Sequence, residues 1–257
     1  MAMLELYNFP PSTCSLKVRI CLAEKGLEWV DHRLDSREGQ HLKPDYLKLN
    51  PNGVVPTLVH DGNVIIDSSV ILEYLDEMFP EVRMTPEDPL GRAHMRKWLR
   101  YFEEVATPAV RFPSFNRVLI HSFRKLSEDK FEKAAKSRPL RKNFYLRMGQ
   151  KGFSEADIAK AEDDIRDTVE RMEEALADAG PWLMGAHYTL ADICVAPLID
   201  RMEDLGMEQI WERNKPHVTS WFHHIKERPA YDKAYYEGAR FSDIYPELEL
   251  GRSTPRV

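Results

Sequence analysis

A chain of 257 residues that is 43% hydrophobic and 30% charged carries enough apolar material for one large core or two modest ones, which excludes a disordered chain. A net charge of −6 excludes bulk attraction to nucleic acid or an anionic membrane, and no apolar run approaches the length that spans a bilayer. Three cysteines (Cys14, Cys21 and Cys194) lack the number and spacing of a disulfide framework or a zinc site. No metal is expected, and a reducing cytoplasm fits. The opening MAMLELYNFP lacks a signal-peptide profile.

Residues 4–7, LELY, read as a strand that Pro10 and Pro11 end. Ser12, Thr13, Cys14 and Ser15 follow in a row. Apolar residues at Leu16, Ile20, Leu22 and Ala23 then give 15–25 a helical spacing, closed by Gly26. Residues 27–34 alternate as a strand. A short amphipathic segment around Tyr46 and Leu47 leads into LNPNGVVPTLVHDGNVIIDSS. There, 56–60 and 64–66 flank Asp61-Gly62, a strong tight-hairpin signal. Ser68 is the expected cap of a helix carrying Val70, Ile71, Tyr74, Leu75 and Met78. The order β-α-β-α-β-β-α implies a mixed sheet with helices on it.

After Pro80 the character changes. A Pro-rich charged connection, PEVRMTPEDPLGR, is followed by helical stripes and no convincing strand. Met95, Trp98, Leu99, Phe102 and Val105 form one stripe, and Ile158, Ala161, Ile165, Val169, Met172 and Leu176 a longer one that Gly180 ends. Thr189 with Asp192 forms a capping-box pattern before LADICVAPLIDRMEDL, and 216–228 give a further helix. A small α/β segment therefore precedes an all-helical one, with the boundary near 80–88. Residues 133–151 hold seven Lys and Arg and no acid. That run reads either as a solvated helix edge or as a patch drawing an anionic aromatic substrate to a nearby cleft.

The motifs NGVVPTL, DSSVILEYL and YTLADI, in this order and across this change of character, resemble the glutathione transferase superfamily. The resemblance covers nearly the whole chain. STCSLKVRI is similar to the start of zeta-like transferases and of the reductive dehalogenases. The middle segment KLSEDKFEKAAKSRPLRKNFYLRMGQKGFSEADI resembles an insertion of bacterial β-etherases, which cleave lignin-type aryl ethers. The implied fold is α/β plus all-α: a thioredoxin-like glutathione-binding domain over 1–82, then an all-helical domain over 88–257 that completes the hydrophobic substrate site. The implied co-substrate is glutathione. The implied partners are a small aromatic substrate and a second subunit, identical or related, with no nucleic acid and no membrane.

The resemblance also implies a site. Val55-Pro56 would be a cis bond that turns the Val55 backbone outward, so that the glutathione peptide adds there like a strand. The alternative is a proline that merely starts a strand. Asp67 and Ser68, at a helix start rich in free N–H groups, would hold the γ-glutamyl end, with plain capping by Ser68 also expected. His41, with Gln40 beside it, would meet the glycyl end.

The small residues at the first helix start then acquire a purpose. A hydroxyl donating to the glutathione sulfur there stabilises the thiolate. Ser12 ranks first for this role. Ser15 is the alternative, its competing reading being the cap of the first helix. Cys14 is either a dehalogenase-type nucleophile or a small half-buried residue, while Cys21 and Cys194 belong to the core. Phe9, Tyr101 and Phe115 are offered as walls for the second substrate. Tyr235, Tyr236, Phe241 and Tyr245 either fold over the cleft or pack on the helical domain. His223 and His224 read as helix-surface residues. The expected activity is glutathione transfer to an aromatic electrophile, foremost β-aryl ether cleavage. Zeta-like dehalogenation or isomerisation through Ser12 and Cys14 is the alternative enzyme, and a non-catalytic binding module the alternative of another class.

Overall fold

Four short strands form one mixed sheet in the order β2-β1-β3-β4 in the computed structural model, which describes residues 3–251. The outermost residues of the two expected domains, 1–2 and 252–257, lie outside it. β1 (Leu4–Asn8) pairs in parallel with β2 (Val30–Arg33) and antiparallel with β3 (Thr57–His60). β3 in turn pairs antiparallel with β4 (Asn63–Ile66). The parallel pair needs a crossover, and α1 (Thr13–Glu24) supplies it. The β3–β4 hairpin turns on Asp61 and Gly62, with φ of 48° and 83°. Both central residues are left-handed, as a type I′ turn requires.

α2 (Pro44–Leu49) and α3 (Ser68–Met78) complete this half. α1 lies between the sheet and the helices that follow. Val18, Cys21 and Leu22 are fully buried, and so are the charged Lys17 and Arg19. The cations are held by partners far along the chain. Arg19 bonds Asn8 Oδ1 (2.9 Å) and the Tyr236 hydroxyl (2.5 Å), and the Arg19 and Arg33 guanidiniums both lie over the Tyr236 ring. Lys25 reaches Asp76 at 2.7 Å. Arg228 grips Glu24 with two hydrogen bonds. Of the C-terminal aromatics, Tyr235 stacks on Tyr231 and Phe241 lies under Arg201, so these rings pack rather than cap the cleft.

The helical half opens with α4 (Pro89–Tyr101), which runs without a break through a π-helical turn (Phe102–Ala106) into α5 (Thr107–Ser114). A second π turn (Phe115–Leu119) leads into α6 (Ile120–Phe123). Met95, Leu99 and Phe102 are buried as the stripe predicts, but Val105 is half-exposed and Ala106 takes the inward place. The π turn adds a residue and shifts the phase there. Next come α7 (Glu128–Lys136) and α8 (Lys142–Met148), then the long α9 (Glu155–Ala179) and the central α10 (Leu190–Asp204). α11 (Pro216–Lys226), α12 (Pro229–Ala234) and α13 (Phe241–Ile244) close the chain. The Thr189/Asp192 box forms, and buried Asp192 also accepts from Leu183 N–H and Trp221 Nε1. No described helix is long and apolar enough to cross a membrane.

Candidate active site at the carboxyl end of the sheet

Strand register gathers the loops that carry chemistry. Tyr7 lies opposite Thr57, Thr57 opposite Ile66, and Asn8 opposite Arg33. The segments 9–12, 53–56, 67–68 and 34–43 therefore all leave the sheet at one edge, the carboxyl end of the parallel strands. Open α/β sheets bind ligands at that end.

The diproline is fixed through its carbonyls. Pro10 C=O accepts from Arg19 Nη2 at 2.6 Å, and Pro11 C=O from Arg201 Nη2 at 2.5 Å. The chain then enters α1 with Ser12 as N-cap, its Oγ accepting from the Ser15 N–H at 3.3 Å. The capping alternative for Ser15 is thus overturned: the helix begins two residues earlier than the apolar spacing predicts. Ser15 Oγ is sealed from solvent and has no partner. Ser12, Thr13 and Cys14 remain half-exposed, with the Thr13 and Cys14 N–H groups in the unpaired first turn.

Beneath this helix start lies an ion pair that joins the two halves. Lys17 Nζ donates to Glu103 Oε1 (2.6 Å) and Thr107 Oγ1 (3.1 Å). Burial alone pushes the Lys17 ammonium down; the Glu103 carboxylate, by its charge and its hydrogen bond, holds the lysine charged. Glu103 sits in the first π turn, so the helical irregularity delivers this carboxylate to α1. Cys194 Sγ also meets Glu103, and burial pushes its thiol up to about 12, as it does that of Cys21. Both are inert at neutral pH.

The Val55-Pro56 peptide bond is cis. The Val54 carbonyl just before it accepts from Tyr46 Oη (2.5 Å) and Asn50 Nδ2 (2.9 Å), and both donors also reach Thr57 Oγ1. α2 thus clamps the turn. No turn or loop hydrogen bond among the described residues engages the Val55 N–H or C=O.

At the start of α3 the cap is Asp67, not Ser68. Asp67 Oδ1 accepts from the Ser69 and Val70 N–H groups and from Ser69 Oγ. Either residue type caps well; the backbone decides. Asp67 has φ 73° and ψ 125°, a conformation that costs a non-glycine residue about 1–3 kcal/mol and marks functional sites. Asp67 is exposed, and Ser68 opens the helix as a buried residue.

His41 is buried edge-on against Phe9, with ring centroids 5.0 Å apart and Nδ1 without a partner. Burial, then the nearby Arg138, lowers its pKa to about 4, so the imidazole is neutral at pH 7. Gln40 is spent locally, its Oε1 accepting from the Asp35 N–H at 2.8 Å.

The basic segment neither stays wholly in solvent nor lies apart. Lys133, Lys136, Lys142, Arg147 and Lys151 are exposed, whereas Arg138 and Arg141 are half-buried. The loop between α7 and α8 reaches the sheet half, where Leu140 N–H bonds Asn52 C=O and Pro139 abuts Gly53. On its other side the segment packs through Phe144 and Tyr145 onto Phe115 and Phe112. Phe115 therefore joins an aromatic cluster with Phe112, Phe144 and Tyr145. Tyr101 does not: its hydroxyl bonds Thr168 and its ring lies under Arg171, both on α9.

Sequence reasoning missed Lys17, Arg19, Glu103, Arg111 and Arg138. The available signal was the pair of cations inside the apolar run of the first helix. No metal-binding group occurs among the described residues, and His223 and His224 are exposed on α11. An open hollow of about 390 Å³ at the end of α9, lined by Leu176, Pro181, His217 and His224, shares no residue with this site.

Residues 11–78 match the profile of the glutathione S-transferase N-terminal domain, and 131–229 that of the glutathione S-transferase C-terminal domain. Protein LigF of Sphingobium sp. is 31% identical over 94% of this chain and 96% of its own. A tetrachloro-p-hydroquinone reductive dehalogenase of Sphingobium chlorophenolicum is 28% identical over 91% of this chain and 96% of its own. The crystal structure of the beta-etherase LigF superposes with a TM-score of 0.83 at 30% identity, covering 91% of this chain and 98% of that one.

Proposed function

The chain belongs to the glutathione transferase family of glutathione-dependent enzymes, and we propose that its reaction is the cleavage of a β-aryl ether beside a ketone. The observation that carries this reading is the likeness to a β-etherase in sequence and structure. At 94% coverage too few residues go unmatched to leave out the whole of the middle segment 125–158, which bridges the two halves.

Glutathione supplies the sulfur nucleophile. The Ser68 N–H and hydroxyl at the start of α3, beside exposed Asp67, suit the γ-glutamyl end of such a peptide. The unengaged Val55 backbone suits its cysteinyl unit, and neutral His41 its glycyl end. Ser12 Oγ, with the free N–H groups of Thr13 and Cys14, faces the place of the sulfur. Donors there draw the thiol below its ordinary pKa of about 8.5. Ser15 ranks behind Ser12 because its hydroxyl is sealed. A C–S bond forms as the C–O bond breaks, the phenolate leaves, and the thiol proton goes to it. Mass spectrometry of the products tests this: one glutathione thioether for each phenol released supports the reading, and intact ether refutes it.

The half-exposed Cys14 favours a second reading, reductive dehalogenation. A glutathione thiolate would first displace halide from the arene; the Cys14 thiolate would then attack the sulfur of that conjugate, breaking the S–aryl bond so that the arene leaves with a proton, and a second glutathione would reduce the mixed disulfide, releasing glutathione disulfide. Retention on immobilised glutathione without turnover of any aromatic electrophile would instead make the chain a binding module. Family membership also supports a dimer, with itself or a related subunit, and a cytoplasmic location; light scattering tests the first.

A further inference from the structure

Two guanidiniums where α5 meets the start of α8 lack acceptors among the described residues. Arg111 lies on α5, and Arg141 immediately precedes α8. The helices bring them together through Phe112, Phe115 and Phe144, and the Arg111 guanidinium stands 5.6 Å from the Phe144 ring centroid. Neither arginine donates a side-chain hydrogen bond or joins an ion pair among the described residues. The neighbouring arginines all do: Arg117 bonds Leu205 C=O, Arg124 bonds Lys151 C=O, Arg138 bonds Ala134 C=O and Arg147 pairs with Asp157. The exception is therefore local.

Arg111 and Arg141 are both half-buried, and none of their guanidinium nitrogens is sealed from solvent. Burial, then Arg141, lowers its pKa to about 10, so it stays charged at neutral pH. Cys14, Glu103 and Tyr145 also face it. Glu103 is already held by Lys17 at 2.6 Å and does not neutralise the pair. Two like charges side by side without a counter-ion repel each other in the empty site, and a ligand anion relieves that repulsion. A carboxylate matches guanidinium donors in shape as well as charge. Aromatic rings beside the pair offer a face to an arene.

We propose that Arg111 and Arg141 bind a carboxylate on the second substrate, so that the aromatic compound this site takes is an anionic arenecarboxylate whose ring lies toward Phe144 and whose reactive carbon lies toward the start of α1. This deepens the reading above and rests on its placing the second substrate at that cleft.

The test uses binding, which does not depend on turnover. With S-methylglutathione at saturation, the full chain is titrated calorimetrically with 4-phenylbenzoate and with its neutral amide. The acid binds about tenfold or more tightly than the amide. Arg111→Met and Arg141→Met each reduce that preference, the double variant abolishes it, and Arg111→Lys retains part of it. S-methylglutathione affinity stays at the wild-type value in all of them. Melting temperatures of the ligand-free Met variants hold or rise, because an unpaired charge is removed. Equal affinity for acid and amide in the wild type overturns the proposal. So does a preference that survives in the double variant, or a loss of S-methylglutathione affinity instead, which would assign the arginines to the peptide. Ether cleavage is assayed separately: its absence alongside intact acid preference would refute the etherase reading and leave the carboxylate site standing.

Discussion

Glu103→Gln is expected to harm this protein more than Lys17→Met, although both break the same ion pair. The Lys17 side chain is 0% exposed, while that of Glu103 is 24% exposed. In Glu103→Gln the ammonium stays enclosed, with Thr107 Oγ1 at 3.1 Å its one full-strength acceptor and a neutral amide facing it. Stranding one member of a buried pair costs about 3–5 kcal/mol. In Lys17→Met the carboxylate left behind can be hydrated from its exposed side, and the methionine fills the apolar path of the lysine stem. That loss is about 1–2 kcal/mol. The double variant Lys17→Met/Glu103→Leu strands neither charge and recovers most of the larger loss. Against a total stability of about 5–15 kcal/mol, the difference is well within reach of measurement. Urea unfolding followed by tryptophan fluorescence is the assay, since urea does not screen charge, and the four proteins form a double-mutant cycle. Equal losses in the two single variants, or losses that simply add in the double, would refute the reasoning and show that the pair contributes nothing across the two halves.

His41 gives a pH signature. Its folded pKa, about 4, lies below the unfolded value near 6.5, so the unfolded chain takes up the proton first. The contribution is intact above pH 6.5 and is lost as pH falls towards 4, by up to about 3 kcal/mol; His41→Asn should flatten the stability profile in that window. An unchanged slope would mean that the imidazole is not buried neutral. Ser15→Ala removes an unpartnered hydroxyl and should leave stability within about 1 kcal/mol of wild type and turnover unaltered, whereas Ser12→Ala should cost about 1 kcal/mol through its cap and also slow glutathione transfer. The reverse order of effects on turnover would move the sulfur donor to Ser15. Asn50→Ala strips a donor from the Val54 carbonyl and from Thr57 Oγ1, and should cost about 1–3 kcal/mol and raise KM for glutathione. A lower melting temperature with KM unchanged would separate this clamp from peptide binding.

What could be read in the sequence was local. Asp61-Gly62 specified its hairpin because few dipeptides accept two left-handed residues. Thr189 and Asp192 specified their helix start, and the apolar stripes of α4 and α9 their buried faces. Choices between chemically equivalent neighbours could not be read. Asp67 and Ser68 both cap well, as do Ser12 and Ser15, and the selection is made by backbone angles that other strands impose. The phase shift at Val105 arises from π turns that leave no periodic signal of their own. Least legible were the buried cations. Lys17, Arg19 and Arg201 look like solvated surface until the fold brings Glu103, Tyr236 and the diproline carbonyls to them. The candidate site followed the same pattern: its short segments stand out in the sequence, while the arginines proposed to bind a carboxylate, Arg111 and Arg141, look like ordinary surface charges until α5 and α8 pack.

The most direct measurement follows a β-aryl ether ketone that releases a fluorescent phenol, with glutathione present, in the wild type, Ser12→Ala and Cys14→Ala. A halogenated hydroquinone is run in parallel. Ether cleavage by the wild type that persists in Cys14→Ala and falls in Ser12→Ala is the predicted result. No phenol from any of the three, with halide release that disappears in Cys14→Ala, would contradict the account and make Cys14 the nucleophile of a dehalogenase.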